Sequence, residues 1–470
     1  MFTYLLKKDK EVSILLIHIL IAILSFFSIY FFIVWFYIIV LANIPAILNK
    51  STRSKTVLVF FGYIFGLEII GRMIKASPFI PYQVGNYLML IVFSYCIIKT
   101  TSSRQGLIGK IILILCIPGF YMIPFENYFV FFMNSFSGII CLGLAAVYFG
   151  GQTYNSEDLR DFIKITILPI IIIAIYISLK TPTLNDVDFN LAANFETSGG
   201  FGSNQISTVL GLGACLLILA YISRQAVFSK YNKALSFVVI SFFLFRGLLT
   251  FSRGGILTGL VAAVLSYLYL NWRLKKNISK SVVRLTFIAL GCYIVFTISN
   301  QITGGTLAER YHGQTSSTLN GNRKINLNTI TTNRSNIALA EFAIFSDHIF
   351  LGVGPGGGYE ARKQYMGTEI ASHTELTRLL AEQGIPGLLI GVTFLFYPLF
   401  RLKNSKSVKE SFYLIAFFSL AIITSFHSSM RTTITPLFWS LSCARFSFPR
   451  SSKAIETGAK EARVNALVSH

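Results

Sequence analysis

The sequence predicts an all-α, polytopic membrane helix bundle of about 14 (roughly 12–14) transmembrane helices, with a large, partly helical extracytoplasmic loop. Only 13% of the 470 residues are charged and 53% are hydrophobic, whereas a soluble domain carries roughly a quarter charged residues. Apolar runs of about 20 residues, the length needed to cross a bilayer, recur along most of the chain. These runs must be helical, because lipid offers the backbone no hydrogen-bond partner.

The spans are assigned in chain order from the apolar runs. The first run, residues 12–48, is too long for one span, and we divide it into a hairpin near residues 28–30. Further spans are centred near Phe65, Ile91, Leu115, Ser137, Ile171, Cys215, Val239, Ala263, Cys292, Gly391, Phe418 and Leu437.

Four regions follow from these spans. We expect an N-terminal transmembrane block at 1–300 with about eleven spans and an extracytoplasmic catalytic loop at 301–378. A C-terminal transmembrane block at 379–447 with about three spans follows, and then a flexible cytoplasmic tail at 448–470.

The net charge of +21 does not indicate a nucleic-acid partner. The basic residues are concentrated in short segments between apolar runs, at 224–233, 273–280, 401–409 and 445–463. With an even number of spans these segments all lie on one side, which the positive-inside rule makes cytoplasmic. We therefore expect both termini in the cytoplasm of a multi-pass inner-membrane protein, and contacts of the basic segments with anionic membrane lipids.

No metal or other cofactor is predicted. The six cysteines lie in or beside apolar runs without metal-ligand spacing, so they are expected to be packing residues. Asp186 and Asp188 form the one spaced acidic pair in the outer loops, but no further ligand follows nearby. A solvated loop is therefore favoured over a metal site.

Two outer loops are long, at about 180–205 and 301–379. Residues 335–348 have the apolar spacing of an amphipathic helix. Ser372 and Glu375 have the spacing of a capping box, which predicts a helix that begins after Ser372 and ends at Gly384 and Pro386.

Two arginines stand out in the run before the second long loop. Arg246 and Arg253 are seven residues apart, so both can share one helix face, with Arg246 roughly 10 Å deeper in the membrane. An arginine within a membrane costs at least about 2.5 kcal/mol, which favours a cavity or a partner. A snorkelling anchor at Arg253 and a structural ion pair at Arg246 remain the alternatives.

The glycine cluster at 352–358 does not have the sequence of a nucleotide-binding loop. It lacks the lysine of a phosphate-binding loop and the strand–turn–helix context of a dinucleotide fingerprint. We expect a tight turn whose backbone amides, near Gly354 and Gly356, could hold an anion.

His373 is the strongest candidate for acid–base chemistry. If Ser372 caps the helix, the imidazole lies in the first turn, where the helix dipole disfavours a positive charge and keeps it ready to accept a proton. An ordinary loop histidine is the alternative. His427 and Arg431 are secondary candidates for substrate contact at an outer membrane face.

These motifs, in this order, resemble the O-antigen ligase and O-antigen polymerase family of bacterial envelope enzymes. The resemblance covers residues 198–387. It is carried by Gly-Phe-Gly-Ser-Asn204, Phe251-Ser-Arg-Gly-Gly255, Arg334 at the start of a helix, Ile349-Phe-Leu-Gly-Val-Gly-Pro-Gly356, and Ser372-His373 leading into Leu380-Ala-Glu-Gln-Gly-Ile-Pro-Gly387.

The resemblance implies a metal-independent glycosyl transfer on the outer, periplasmic face of the membrane. The donor would be a glycan on undecaprenyl pyrophosphate, and the acceptor another glycan or lipid A-core. Arg253 and Arg334 would bind the pyrophosphate and His373 would activate the acceptor hydroxyl, while Asn204 is a candidate substrate contact. The family usually has Asn after this histidine, and this chain has Thr374.

Several alternatives stay open. Ligase and polymerase share the donor and differ in the acceptor, and the sequence does not separate them. A transporter or flippase of lipid-linked saccharides would show inverted repeats and spans broken near the midplane, and we find neither. A scaffolding protein would not explain arginines at membrane depth.

Overall fold

The computed structural model describes residues 2–7, 10–100, 106–225, 227–228, 232–275, 278–321, 324–367, 370–372, 374–426, 430 and 432–448. This part of the chain is mostly helical, so the predicted all-α membrane bundle is confirmed. Each predicted span centre lies inside a helix.

The first helices of the described chain form the N-terminal part of the bundle. They are α1 (Phe2–Leu5), α2 (Glu11–Phe27), α3 (Ile29–Leu48), α4 (Arg53–Met73), α5 (Val84–Lys99), α6 (Leu107–Leu115), α7 (Ile117–Met122), α8 (Tyr128–Phe131) and α9 (Ser137–Phe149). A 3-10 turn (Phe125–Asn127) precedes α8, and a π-helical turn (Phe132–Phe136) joins α8 to α9. The break predicted near residue 28 is confirmed, because Ser28 is extended between α2 and α3.

The central helices carry the first candidate site residues. They are α10 (Ser156–Lys180), α11 (Ser203–Ile222), α12 (Asn232–Leu249), α13 (Arg253–Arg273) and α14 (Ile278–Ile302), with a 3-10 turn (Glu196–Ser198) before α11. A short strand β1 (Thr153–Asn155) pairs in parallel with β2 (Arg445–Ser447), which the sequence patterns did not predict.

Short helices fill the second long loop. They are α15 (Thr306–Tyr311), α16 (Ser316–Leu319), α17 (Leu327–Thr331), α18 (Arg334–Asp347) and α19 (Gly358–Met366). Helix α18 buries Ile337, Ala340, Glu341 and Ile344. This three-and-four spacing places all four on one face, so the predicted helix is confirmed. Its amphipathic pattern is incomplete, because Leu339 and Phe342 are exposed while Glu341 is buried.

The last helices are α20 (Glu375–Lys403), α21 (Val408–Ser425) and α22 (Ile434–Cys443). Helix α20 breaks at Gly384, where φ is 59° and ψ is −134°. The Ile385 amide donates to the Ile349 carbonyl at 2.8 Å, and a Cβ on Gly384 would lie 2.4 Å from that same oxygen. The predicted helix end at Gly384 is therefore confirmed, and a second helical segment follows directly.

Nine helices of the described chain are long and apolar enough to cross a membrane. They are Ile29–Leu48, Arg53–Met73, Tyr128–Phe149, Ser156–Lys180, Ser203–Ile222, Arg253–Arg273, Leu285–Ile302, Glu375–Lys403 and Val408–Ser425. Further apolar helices have 10–17 residues. The total of about fourteen crossings and the four region boundaries stay predictions.

Close glycine contacts hold α13 against α11. A Cβ on Gly255 would lie 2.3 Å from the Thr208 amide nitrogen, and one on Gly259 would lie 2.0 Å from the Gly211 carbonyl oxygen. Small residues let membrane helices approach this closely. The packing brings the start of α13, with Arg253, beside the start of α11.

Candidate functional site

Arg246 and Arg253 lie on two helices rather than on one face of a single helix, so that prediction was wrong. Helix α12 ends at Leu249, and α13 begins at Arg253. A turn at residues 250–252 separates them, with Phe251 in the left-handed region at φ 57°. Helical spacing therefore does not apply across this turn, and Arg246 lies one turn from the end of its own helix.

Arg246 is buried and bonded to a neighbouring segment. Its Nη2 donates to the Ile177 carbonyl at 3.0 Å, to the Thr181 hydroxyl, and to the Thr197 carbonyl at 3.4 Å. These contacts join α12 to the end of α10 and to the following loop. They support a structural role through hydrogen bonds, and the substrate contact predicted for Arg246 stays a prediction.

Asn204 is tied directly to the residue before Arg253. Its Oδ1 accepts a hydrogen bond from the Ser252 hydroxyl at 2.7 Å. The Ser207 hydroxyl in turn donates to the Ser252 carbonyl at 2.7 Å. The first turn of α11, which contains Asn204, and the turn that presents Arg253 are therefore bonded into one unit where α11 meets α13.

The Arg253 guanidinium reaches into the second long loop. Its Nη1 donates to the Arg310 carbonyl at 2.7 Å, and its Nη2 donates to the Thr329 and Ile330 carbonyls at 3.2 and 2.7 Å. A guanidinium has five N–H donors, so two have no partner within the described chain after these three bonds. Arg253 thus fastens the loop to the bundle.

Arg310 is a site residue that sequence reasoning missed. Its Nη1 donates to the Leu191 carbonyl at 2.5 Å, which links the two long loops. Its Nε is buried and, within the described chain, has no hydrogen-bond partner, and the same is true of the Tyr311 hydroxyl. Burial and the nearby charge of Arg253 lower the pKa of the Arg310 guanidinium to about 10.

Arg334 is the first residue of α18. The residue before it, Asn333, has φ 66°, a left-handed conformation that asparagine tolerates. Within the described residues, the Arg334 Nη1 donates one long bond, 3.4 Å, to the Phe426 carbonyl. Burial and the charge of Arg253 lower the pKa of the Arg334 guanidinium.

Three positively charged side chains form what we call the arginine cluster: Arg253, Arg310 and Arg334. Arg253 acts electrostatically on both other guanidinium groups. No Asp or Glu of the described chain forms an ion pair with any of the three. A concentration of uncompensated, partly buried positive charge suits an anion with several oxygens, because the planar guanidinium forms two parallel bonds to such groups.

His373, His427 and Arg431 lie outside the described residues, so their predicted roles stay predictions. The residues beside His373 are described. Thr374 is the N-cap residue of α20, and the helix begins at Glu375. The Ser372 hydroxyl exchanges hydrogen bonds with the Thr374 backbone, so the capping box predicted for Ser372 and Glu375 was wrong.

Glu341 holds Thr374 in place. This buried carboxylate accepts hydrogen bonds from the Thr374 hydroxyl at 3.2 Å and the Thr377 hydroxyl at 2.5 Å. It also forms an ion pair with Arg362 at 2.8 Å. Burial raises the pKa of the Glu341 carboxyl. The amphipathic pattern of α18 offered one signal for this residue, since Glu341 lies on the face that is otherwise apolar.

A second buried ion pair fixes the first turn of α20. Arg378 pairs with Glu375 at 2.5 Å and with Glu382 at 3.4 Å, and it donates to the Ser135 carbonyl at 2.9 Å. The other oxygen of Glu375 accepts from the Met430 amide at 2.9 Å. These bonds join the start of α20 to Ser135 and to Met430.

The glycine turn, residues 352–357, packs against α20. Gly352, Gly354 and Gly356 have φ of 71°, 83° and 87°. The amides of Gly352, Val353 and Gly357 already donate to backbone carbonyls. The predicted turn is confirmed, while anion binding by Gly354 and Gly356 stays a prediction.

A cavity of about 590 Å³ lies between the glycine turn and the ends of α4 and α11. Its lining includes Arg72, Gln205, Arg362, Arg378 and Glu382. The volume lies within the range of ligand pockets, roughly 300–1,000 Å³. Since Gln205 follows Asn204 in α11, this cavity adjoins the unit that presents Arg253.

The acidic side chains of the described chain do not assemble a metal site. No group of three or more His, Cys, Asp or Glu residues within it could hold a metal ion. Asp186 and Asp188 are exposed, as expected for a solvated loop. The predicted independence from metal stays a prediction.

One comparison with known proteins found a match. Residues 235–392, about one third of the chain, match the family model described as O-Antigen ligase. The resemblance inferred from the sequence motifs is therefore confirmed over a segment that contains the arginine cluster. Comparisons with curated proteins and with solved structures found no match.

Proposed function

We propose that this protein, which over residues 235–392 is similar to the O-antigen ligases, is a membrane glycosyltransferase. It transfers or polymerises a glycan from an undecaprenyl-pyrophosphate donor on the outer face of the cytoplasmic membrane. The arginine cluster is the observation that carries this proposal. Three guanidinium groups without an acidic partner in the described chain fit the pyrophosphate of such a donor.

The reaction needs no energy source besides the donor. The acceptor hydroxyl attacks the anomeric carbon of the glycan, and its proton passes to His373. The bond from this carbon to the pyrophosphate oxygen breaks, and the leaving undecaprenyl pyrophosphate keeps the electron pair. The arginine cluster stabilises the negative charge that develops on the leaving group, which is the largest contribution a protein can make to such a step.

The surroundings of His373 support its role as the base. Glu341 fixes the hydroxyl of Thr374, and Arg378 fixes the first turn of α20 through Glu375. The chain beside His373 is thus bonded to α18 through Glu341 and held at the start of α20 through Glu375, as the support of a catalytic group requires. Thr374 serves as an anchor to Glu341.

The proposal is tested by transfer from a synthetic undecaprenyl-pyrophosphate glycan to each acceptor class. The full-length protein in lipid bilayers receives either lipid A-core or a second lipid-linked repeat, and mass spectrometry identifies the product. Glycan transferred to lipid A-core identifies a ligase, and a longer lipid-linked glycan identifies a polymerase. Movement of the intact donor across the bilayer without any transfer would contradict the proposal and identify a flippase.

A further inference from the structure

A second cavity, of about 960 Å³, opens along α18. We propose that this cavity binds the sugar rings of an oligosaccharide substrate; this inference rests on the proposed glycosyl transfer. We call it the Asn groove, after Asn326, Asn328, Asn333 and Asn336 in its lining. Its volume is at the upper end of the range for ligand pockets, which suits several linked sugars better than one.

The described polar lining of the Asn groove is almost entirely uncharged. Besides the four asparagines it contains Thr315, Thr329 and Thr332, and Lys324 is the one charged side chain among the described lining residues. A side-chain amide offers both a carbonyl acceptor and an NH₂ donor, as the hydroxyl groups of a neutral sugar require. The arginine cluster has the opposite character, so the two sites divide the donor into sugar and phosphate parts.

Two of the asparagines build the groove and two face a ligand. Asn326 caps α17 by accepting from the Thr329 amide at 3.0 Å, and Asn328 accepts from the Ser335 hydroxyl. Asn336 Nδ2 donates to Asn333 Oδ1 at 2.8 Å. Within the described chain, that bond leaves Asn336 Oδ1 as an acceptor and Asn333 Nδ2 as a donor for a sugar hydroxyl.

An aromatic ring and small apolar side chains complete the groove. Tyr365 is 39% exposed, and its hydroxyl donates to Asp347, which fixes the ring. Ala340, although largely buried, and Ala343 lie along α18 in the lining. The C–H faces of a sugar ring pack well on such a surface, since tyrosine offers a large apolar face at low cost in conformational entropy.

The Asn groove begins beside the arginine cluster. Asn333 directly precedes Arg334, and the lining follows α18 to Ala343, which is about 15 Å at 1.5 Å per residue. Thr332 and Asn333 are both left-handed, with φ of 53° and 66°. For the β-branched Thr332 this conformation is strained, and strained backbone concentrates at binding sites. A pyrophosphate on Arg334 would therefore continue into sugars along α18.

The test measures saccharide binding separately from transfer. The probe is the oligosaccharide released by mild acid from the lipid-linked glycan of the producing cells, titrated by calorimetry into the full-length protein in lipid nanodiscs. Loss of one hydrogen bond should weaken binding about three- to tenfold in Asn336→Ala. Tyr365→Ala should weaken it similarly, Tyr365→Phe should retain it, and Asn404→Ala, on an exposed residue outside the groove, should leave it unchanged.

Two further measurements test the groove independently of the proposed function. In the transfer assay, the KM for donor or for acceptor should rise in Asn336→Ala, which shows whose sugars occupy the groove, while kcat and the affinity for inorganic pyrophosphate stay as in wild type. Equal saccharide affinity in wild type, Asn336→Ala and Tyr365→Ala would overturn the groove even if transfer occurs. Saccharide binding that depends on these residues, without any transfer, would uphold the groove and overturn the proposed function.

Discussion

Arg253 Nη1 donates to the backbone carbonyl of Arg310 at 2.7 Å, so the two arginines are held together although their charges repel. The contact joins the start of α13 to the loop after α14. Two like charges lie close together here, and no acidic residue of the described chain pairs with them. An anion that binds between them would therefore reduce their repulsion. The reaction proposed for this protein produces such an anion as its leaving group.

Arg253→Lys keeps the charge but removes the planar fork that bonds both a ligand and the loop carbonyls. We expect the transfer rate to fall by roughly 10²-fold, the effect of removing one donor from a site of developing charge. Initial rates with a synthetic lipid-linked donor measure it. Arg273→Lys, at the other end of α13, is the matched control, and an equal rate in Arg253→Lys and wild type would reduce Arg253 to an anchor.

Arg310→Gln tests the arginine that sequence reasoning missed. A charge-assisted hydrogen bond contributes about 1.5–3 kcal/mol, so the affinity for inorganic pyrophosphate should fall by roughly 10- to 100-fold at pH 8. Calorimetry on the full-length protein measures this change. An unchanged affinity would show that Arg310 only bonds the Leu191 carbonyl.

The pH dependence of pyrophosphate binding gives an independent reading of Arg310. Its pKa of about 10 means that the guanidinium is charged below this pH and loses its proton above it. An anion favours the charged form, so binding takes up a proton, and affinity in the wild type should fall as pH rises through 10. In Arg310→Gln this fall should be absent, whereas parallel profiles for the two proteins would assign the titration elsewhere.

Glu341→Gln removes one partner of a buried ion pair. Arg362 then remains buried without its counter-charge, which should destabilise the protein by about 3–5 kcal/mol. Thermal unfolding in detergent measures the loss. Glu341→Gln combined with Arg362→Met removes both charges and should recover most of the stability, while the anchor of Thr374 stays weakened and transfer stays slow.

Recovery of both stability and full transfer rate in the double variant would contradict a positioning role for Glu341. If Glu341→Gln loses neither stability nor transfer rate, the ion pair between Glu341 and Arg362 is not formed. The two readings therefore separate a contribution to folding from a contribution to catalysis.

Removal of divalent metal should leave transfer unchanged, because the arginine cluster supplies the positive charge for the leaving group. Rates before and after dialysis against EDTA measure this. Activity that is lost with EDTA and restored by Mg²⁺ would contradict the prediction and direct attention to Asp186 and Asp188.

Much of the fold could be predicted from local signals. The break at Ser28 follows from an apolar run longer than a bilayer, and the presence of helix α18 follows from its spacing of apolar residues. The end of the first segment of α20 follows from Gly384 and Pro386. These features depend on a few neighbouring residues and on the thickness of lipid.

The details of the site depend on contacts between distant segments, which local patterns do not encode. Arg310 joins the site because its backbone carbonyl accepts a hydrogen bond from Arg253, 57 residues away. Glu375 has the spacing of a capping residue but bonds Arg378 and Met430 instead. The turn at residues 250–252 separates Arg246 from Arg253, although a helix through both was compatible with their spacing.

The most direct test of the proposed reaction is the transfer rate of His373→Ala with a defined undecaprenyl-pyrophosphate glycan and its acceptor. Removal of the base should slow transfer by about 10²–10⁴-fold while donor binding, which depends on the arginine cluster, is retained. His348→Ala, at an exposed histidine after α18, is the matched control and should transfer at the wild-type rate. Undiminished transfer by a folded, membrane-inserted His373→Ala protein would contradict the account.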